Sequence, residues 1–201
     1  MKRIAVFASG RGSNFTAIAQ AIKKGAIKAE IGLLVCDQPQ AAVVAKAKRR
    51  KVACCLCKRE DYASRDEFEK AIIGRLRAEK IELIVLAGFM RIVGPKMIAA
   101  YKDRIINIHP AVLPAFKGAH AIEDAYDYGA KVTGVTVHFV DEKTDHGPII
   151  LQTPVPIREG ESIEALETRI HRIEHRLYPQ AIKLFLEGKL KLEGRKVRIT
   201  S

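Results

Sequence analysis

The chain has 201 residues, of which 48% are hydrophobic and 29% are charged, so it can form a packed core and is not a disordered chain. Lys and Arg number 35 against 23 for Asp and Glu, and the net charge of +12 suits an anionic partner. No apolar run approaches the roughly 20 residues of a membrane helix, and the short first apolar run ends in a glycine turn rather than a signal-peptide core. We therefore expect a cytoplasmic protein without membrane association.

The first half of the chain alternates apolar runs with amphipathic segments. The apolar runs are nearly continuous, as in central strands of a parallel sheet. The sequence predicts strands at Lys2–Ala8, Lys28–Cys36, Val52–Cys57 and Ile81–Ala87, with helices at Phe15–Gly25, Gln40–Arg50 and Ser64–Lys80. This order predicts an α/β fold with a mostly parallel, twisted sheet and helices on both faces.

The second half has longer strands and fewer helices. It predicts, in order, a short helix at Gly94–Tyr101, a strand at Arg104–Ile108, a helix at 120–129, strands at Lys131–Val140 and Ile149–Pro156, and a helix at Ser162–Leu186 capped by Ser162. Leu190–Leu192 and Val197–Ile199 are expected to pair as a closing hairpin. No repeat or flexible linker interrupts the pattern, so we expect one domain over residues 1–201.

Two clusters have both a structural and a functional interpretation. The basic run Lys46–Lys51 is typical of a solvated helix end, although a nucleic-acid patch is the alternative. Among the four cysteines, Cys54 and Cys57 have CxxC spacing, but they lie in a segment that indicates a short buried strand. No second pair completes a zinc site, so we expect no metal, with redox or metal chemistry as the alternative.

The loop Ser9–Asn14, with the sequence SGRGSN, lies between the first predicted strand and helix. Backbone N–H groups at a helix start bind anions, and glycines let a phosphate approach. The loop lacks the Lys of a P-loop and the third glycine of a dinucleotide fingerprint, so a phosphomonoester is the favoured ligand. A simple tight turn is the other interpretation.

Asn107 and His109 end the fifth predicted strand, where ligand sites of open α/β sheets lie. Strand alternation places them on one side, roughly 7 Å apart. They can stabilise an oxyanion and move a proton, or His109 can be merely structural. In the polar loop that follows the sixth strand, a carboxylate that reaches His109 would orient it and raise its pKa. The sequence leaves Asp141, Glu142 and Asp145 open for that role.

Several segments, in order over nearly the whole chain, resemble the phosphoribosylglycinamide formyltransferases, a family of folate-dependent enzymes of purine biosynthesis. They are SGRGSN at Ser9–Asn14, GFMRI at Gly88–Ile92, INIHPAVLP at Ile106–Pro114, FKGAHA at Phe116–Ala121, GVTVHFV at Gly134–Val140, DHGPIILQ at Asp145–Gln152 and IEHRLYP at Ile173–Pro179. The resemblance implies the formyltransferase fold, with a Rossmann-like, phosphate-binding N-terminal half of about residues 1–100 and a catalytic C-terminal half of about residues 101–201.

The resemblance also implies roles for individual residues. It selects Asp145 as the acid that acts with Asn107 and a protonated His109 in catalysis, and it places a cis peptide before Pro114. It implies a glycinamide ribonucleotide site formed by Gly12, Ser13, Asn14 and Glu174. It implies a folate site formed by Arg65, Met90, Arg91, Ile92, Val93 and Asn107. Val93 and the pair Cys36-Asp37 depart from residues common in the family, and His171 falls at a variable contact position.

The implied function is formyl transfer from 10-formyltetrahydrofolate, as cosubstrate, to phosphoribosylglycinamide, without a metal or nucleic acid, by a monomer or homodimer. Methionyl-tRNA formyltransferase and the formyltetrahydrofolate deformylase share the catalytic segments. We expect neither the additional C-terminal domain of the first nor the N-terminal regulatory domain of the second. A non-catalytic nucleotide- or RNA-binding module is the alternative of another class, but it leaves Asn107, His109 and Asp145 without a purpose.

Overall fold

The computed structural model describes residues 1–200. The chain forms two compact units, one of residues 1–106 and one that begins at Asn107. Within the described residues, no helix has both the length and the apolar character that a membrane crossing requires.

The first unit alternates strands and helices, as predicted. Its elements are β1 (Lys2–Phe7), α1 (Ser13–Lys23), β2 (Ala29–Cys36), α2 (Ala42–Arg49), β3 (Cys54–Leu56), α3 (Arg65–Ala78), β4 (Leu83–Leu86) and α4 (Pro95–Ala100), with an unpredicted 3-10 turn at Arg59–Asp61. The strands are parallel and lie in the order β3-β2-β1-β4. All four residues of β4 are buried, as expected of a central parallel strand.

The strand β3 differs from its prediction. A buried strand over Val52–Cys57 was expected, but β3 has three residues, and the side chain of Leu56 is 43% exposed. It is the outer strand beside β2, so it has a pairing partner on one side only and part of its surface faces solvent. Burial is confirmed only for Cys57, which follows the strand.

The second unit is built on a mixed set of strands. Its elements are β5 (Ile105–His109, which starts two residues before the division), α5 (Ala121–Asp127), β6 (Val132–Phe139), β7 (Ile149–Pro156), α6 (Ile163–Leu186), β8 (Leu190–Glu193) and β9 (Lys196–Ile199). The order is β5-β6-β7-β9-β8, in which β6 and β7 are antiparallel and β8 and β9 form the predicted hairpin. With the parallel first unit, this confirms the α/β, mostly parallel fold class.

The helix α6 places one acidic residue among apolar ones. It begins as predicted after Ser162, whose hydroxyl oxygen accepts a hydrogen bond from the Ala165 N–H at 3.3 Å. Its buried stripe includes Leu166, Ile170 and Leu177, and also Glu174, which is only 5% exposed. Carboxylates are seldom so buried unless they are paired, so Glu174 indicates a polar site on the buried face of this helix.

Candidate active site

Asp145 lies at the centre of a polar cluster in the second unit. Its Oδ2 is 3.4 Å from Nδ1 of His109 and accepts a hydrogen bond from the Gly118 N–H at 2.9 Å. Its Oδ1 is 3.4 Å from Nδ2 of Asn107. The structure therefore brings together the three side chains that the resemblance assigns to catalysis. Asn107 and His109 both reach Asp145 because they are two residues apart in β5 and share one side of the strand.

The other acidic residues of this loop have different surroundings. Asp141 Oδ2 lies 2.7 Å from Nδ1 of His146, and its Oδ1 accepts a hydrogen bond from the Lys143 N–H at 3.0 Å. Glu142 is exposed. Asp141 therefore stabilises the loop itself, and of the three candidates left open by the sequence it is Asp145 that lies against His109.

Two backbone features hold this part of the second unit in place. A Cβ on Gly147 would lie 1.9 Å from the Phe139 carbonyl oxygen, so only glycine fits where the loop returns to the end of β6. The peptide bond between Leu113 and Pro114 is cis, as the resemblance implied.

His138 belongs to the cluster and was not singled out from the sequence. Its Nδ1 lies 2.7 Å from the Phe139 carbonyl oxygen and therefore donates to it, which leaves Nε2 as an acceptor in the neutral ring. That Nε2 is 3.2 Å from Nδ2 of Asn107 and 3.6 Å from Asp145 Oδ1. The Asn107 amide thus directs its two hydrogens to His138 and Asp145, and its orientation is fixed.

The signal that could have found His138 is its place in an apolar strand, where a ring with two nitrogens needs partners. Its direction, however, depends on a register shift between β6 and β7 at Val137/His138. Such a bulge re-aims a side chain and cannot be read from alternation alone.

Burial lowers the pKa of His109, and this effect outweighs the opposing influences of the Asp145 charge and of the hydrogen bond to the Phe116 carbonyl. The Asp145 carboxylate does act to raise this pKa, as expected, but burial lowers it more, so the ring is mainly neutral at pH 7. Both ring nitrogens nevertheless face acceptors. Nδ1 faces Asp145 Oδ2, and Nε2 is 2.7 Å from the Phe116 carbonyl oxygen. A second proton on the ring would find Asp145 already in place.

The carboxyl group of Asp145 has the opposite balance. Burial raises its pKa, but the contact with His138, the hydrogen bond from the Gly118 N–H and the charge of His109 together lower it more, so the net shift is downward. Asp145 is therefore ionised at neutral pH and supplies a fixed negative charge beside a neutral imidazole.

Glu174 lies in a second polar group on α6. Its Oε2 is 3.0 Å from Nδ1 of His171, and the rings of His171 and His175 stack with centroids 6.5 Å apart. The charge of Glu174 also acts to raise the pKa of His109, although burial dominates there. Glu174 thus contacts His171 directly, and its charge acts on His109 within the same unit.

In the first unit, the loop before α1 has the features of an anion site. Gly12 is the N-cap residue with φ of +68°, and Ser13 and Asn14 lie in the first turn of the helix. A Cβ on Gly12 would also lie 2.5 Å from a Val43 methyl group, so the position requires glycine in two ways. The N terminus of a helix favours a bound anion, which supports the phosphate interpretation of the loop. Lys46 of the basic run donates a hydrogen bond to the Arg11 carbonyl oxygen at 2.6 Å.

The segment Met90–Val93 exposes apolar side chains beside anchored backbone groups. The side chains of Met90 and Ile92 are 72% and 71% exposed. Arg65 donates to the Ile92 carbonyl oxygen at 2.9 Å, so two parts of the implied folate site are in contact.

Asp37 connects this segment to the anion loop. One of its oxygens accepts a hydrogen bond from the Ser9 hydroxyl at 2.5 Å, and the other is 2.8 Å from Nε of Arg91. The Met90 N–H in turn donates to the Ser9 hydroxyl oxygen at 3.0 Å. The acid that departs from the family pattern therefore holds Arg91 in an ion pair. Among residues 1–200, no group of three or more His, Cys, Asp or Glu side chains is arranged to hold a metal ion.

The chain is similar to known proteins over most of its length. Residues 2–182 match the formyl transferase family. The phosphoribosylglycinamide formyltransferase of Bacillus subtilis is 47% identical over 186 residues, which cover 92% of this chain and 95% of that protein.

Solved structures agree with this match over both units. The structure of glycinamide ribonucleotide transformylase 1 from Symbiobacterium toebii has a TM-score of 0.97 at 44% identity, covering 100% of this chain and 95% of that one. The corresponding enzyme from Geobacillus kaustophilus has a TM-score of 0.90 at 51% identity, covering 92% of this chain and 99% of that one.

Proposed function

Since this chain belongs to the formyl transferase family, we propose that it transfers the formyl group of 10-formyltetrahydrofolate to the amine of phosphoribosylglycinamide, a step of purine biosynthesis. The products are phosphoribosyl-N-formylglycinamide and tetrahydrofolate. The observation that carries the proposal is the cluster around Asp145, in which Asn107, His109 and a carboxylate meet within 3.4 Å. Nucleic acid has no part in this reaction, and we place it in the cytoplasm, in a monomer or homodimer.

The reaction begins when the amine attacks the formyl carbon and negative charge develops on the formyl oxygen. Asn107 stabilises this oxyanion with an amide hydrogen. In the free protein that hydrogen points to Asp145 over 3.4 Å, a longer contact than the 3.2 Å to His138. The weaker contact is therefore the one exchanged for the substrate oxygen, while His138 keeps the amide in place.

His109 enters the reaction as a neutral ring rather than as the protonated one first expected. The proton that leaves the attacking amine passes, directly or through water, to Nδ1, where Asp145 stabilises the resulting imidazolium. Nε2–H then turns from the Phe116 carbonyl oxygen to the oxyanion. As the bond between the formyl carbon and the folate nitrogen breaks, the same proton goes from His109 to that nitrogen. The protein therefore returns to its starting state.

The remaining predicted residues bind the two substrates. Gly12, Ser13 and Asn14 hold the phosphate through backbone groups at the start of α1, and Glu174 receives the glycinamide amine. For the folate, Arg65 and the segment Met90–Val93, which includes Arg91 and Ile92, provide exposed apolar side chains and backbone hydrogen-bonding groups. No protein-bound metal is needed for this chemistry.

The direct test is an absorbance assay of the purified protein with 10-formyltetrahydrofolate, in the presence and absence of phosphoribosylglycinamide. We expect a change only when both are present. A change with the folate alone would indicate the deformylase reaction instead. If neither mixture reacts, methionyl-tRNA is the next acceptor to test, and the assignment of the SGRGSN loop is wrong.

Asn107→Ala tests the proposed oxyanion donor. Loss of one such donor typically lowers kcat by about 10²–10³-fold, and we expect a fall of that size. Gln20→Ala is the matched control, because Gln20 is an exposed amide side chain on α1 outside the cluster. Normal turnover in a folded Asn107→Ala protein, as judged by its denaturation curve, would overturn the role of Asn107.

A further inference from the structure

Four free cysteines gather at the ends of β2 and β3. Cys36 ends β2 and Cys54 and Cys55 lie in β3, while Cys57 follows it. The backbone joins them, because the Cys57 N–H donates to the Cys36 carbonyl oxygen at 3.0 Å. The thiol of Cys57 is 3.8 Å from that same oxygen and 3.9 Å from the Cys55 carbonyl oxygen.

Cys55 and Cys57 are the pair that can react with each other. They are two residues apart in extended chain, so their side chains project to the same side. Two strand residues at this spacing have Cα atoms about 6.6 Å apart. A disulfide accepts up to about 6.8 Å. Because β3 is an outer strand that pairs only with β2 and ends at Leu56, the backbone movement that brings the two Cβ atoms to disulfide distance disturbs strand pairing on one side only.

The two thiols differ in the way that an attacking and a resolving thiol differ. Cys55 is partly exposed, and the neighbouring Cys57 thiol lowers its pKa more than burial raises it, with further lowering by the nearby charge of Arg75. Cys57 is buried, and the Cys55 thiol and burial both raise the pKa of its own thiol. Cys55 therefore carries the thiolate that meets an oxidant, and Cys57 stays protonated beside it.

We propose that Cys55 and Cys57 form a peroxide-sensitive dithiol, a modification site distinct from the formyl transfer chemistry. The Cys55 thiolate attacks one oxygen of hydrogen peroxide, the O–O bond breaks, and Cys55 becomes a sulfenic acid while the other oxygen leaves as hydroxide, which takes a proton from solvent to become water. The Cys57 sulfur then attacks the Cys55 sulfur, the S–O bond breaks, and the leaving oxygen takes the Cys57 thiol proton and departs as a second water. Two thiols lose two electrons to form one disulfide, and one peroxide is reduced to two waters.

The adjacent Cys54 provides a matched control in the same strand. It is also partly exposed, but its thiol lies 3.5 Å from the Val52 carbonyl oxygen and its side chain projects opposite to that of Cys55. Burial raises the pKa of Cys54. We therefore expect Cys54 to remain reduced under conditions that oxidise its neighbour.

The experiment treats the reduced, full-length protein with hydrogen peroxide at neutral pH, alkylates the remaining thiols and digests with trypsin. Cleavage after Lys51 and Lys58 releases Val52–Lys58, which contains Cys54, Cys55 and Cys57 but not Cys36. We expect this peptide to be lighter by two hydrogen atoms, with one alkylated cysteine, Cys54. A disulfide that involves Cys54 or Cys36 would overturn the proposal.

Three serine variants separate the two roles. Cys57→Ser should stop at a sulfenic acid on Cys55 that dimedone captures, and Cys54→Ser should behave like the unchanged protein. Cys55→Ser should slow peroxide consumption by about tenfold, the ratio between a thiolate that is about half formed at pH 7, as a pKa of about 7 gives, and one present at a few per cent. Equal rates in the Cys55→Ser and unchanged proteins would show that Cys55 is not the attacking thiol.

Discussion

At the scale of single residues, His109 is a buried imidazole, and burial disfavours the second proton that would make the ring cationic. A histidine whose pKa is lowered in the folded state favours folding in its neutral form. That contribution is fully present above the unfolded-state pKa of about 6.5 and is lost as the pH falls through the lower folded-state pKa. The folded protein should therefore lose stability below about pH 6.5.

His109→Gln tests this account. Between about pH 7.5 and pH 5.5, the variant should lose less unfolding free energy than the unchanged protein, by about 1.4 kcal/mol if folding lowers the pKa of His109 from about 6.5 to about one lower. Urea denaturation at each pH measures the difference. His175, whose pKa burial also lowers, titrates in both proteins, while the lowered pKa of Asp145 acts only below about pH 4.

The exposed His120 supplies the control for this measurement. His120→Gln should keep the full pH dependence, because it removes an exposed ring and leaves the buried His109 in place. If His109→Gln and His120→Gln show the same loss of stability at low pH, the buried ring is not the source of the effect.

From the residue pattern alone, the candidate site was predictable only where one element carries its residues. Asn107 and His109 share a strand, so alternation places them on one side. The pattern leaves Asp145 and Asp141 equivalent, whereas the family resemblance selected Asp145, and the fold shows Asp145 against His109. His138 and the downward pKa of His109 depend on burial and on a bulge between two strands, and neither is a local property of the sequence.

At the scale of elements, the turn from the β6–β7 loop back to β6 fixes the position of Asp145. Gly147→Ala would place a methyl group against the Phe139 carbonyl oxygen. We expect a loss of about 1–3 kcal/mol of stability, because backbone cannot yield as a flexible side chain does. Because Asp145 is two residues away, kcat should also fall by about tenfold, or about 1.4 kcal/mol of transition-state stabilisation.

Gly74→Ala is the matched substitution in α3. Gly74 is exposed within that helix, and a Cβ there meets no atom within 4 Å. Alanine should therefore raise the unfolding free energy by about 0.4–1 kcal/mol and leave kcat unchanged. Urea midpoints and kcat of both variants test the pair, and a Gly147→Ala protein as stable as its parent would show that the close contact with Phe139 does not exist.

Most elements of the fold were predictable because their periodicity is local. The predicted strand at Ile149–Pro156 and the Ser162 cap of α6 were confirmed without change of boundary. The exposure of strand β3 was not predictable in the same way, since its run of apolar residues resembles that of a central strand. Its exposure follows from its place outside β2, which depends on the order of strands in the sheet.

At the scale of the whole molecule, the net charge of +12 is larger than any single contact described above requires. Within the basic run, Lys48, Arg49, Arg50 and Lys51 are exposed, as expected of a solvated helix end. Both proposed substrates are anions, one through its phosphate and the other through the carboxylates of a folate tail. A field of one sign raises the rate at which such substrates arrive, and salt screens it.

The charge predicts a difference between folates of unequal tail length. As salt rises from about 0.01 M to about 0.1 M, the screening length falls from about 30 Å to about 10 Å. Over this range of salt, we expect kcat/KM for a polyglutamyl 10-formyltetrahydrofolate to fall by about tenfold. The kcat/KM for the monoglutamyl form should fall less, because that folate carries fewer charges. The value of kcat at saturation is the internal control, since steering affects encounter and not chemistry. Parallel declines for the two folates would mean that the charge does not act on the tail, and inhibition of the reaction by a short RNA at low salt would assign the excess charge to nucleic acid instead.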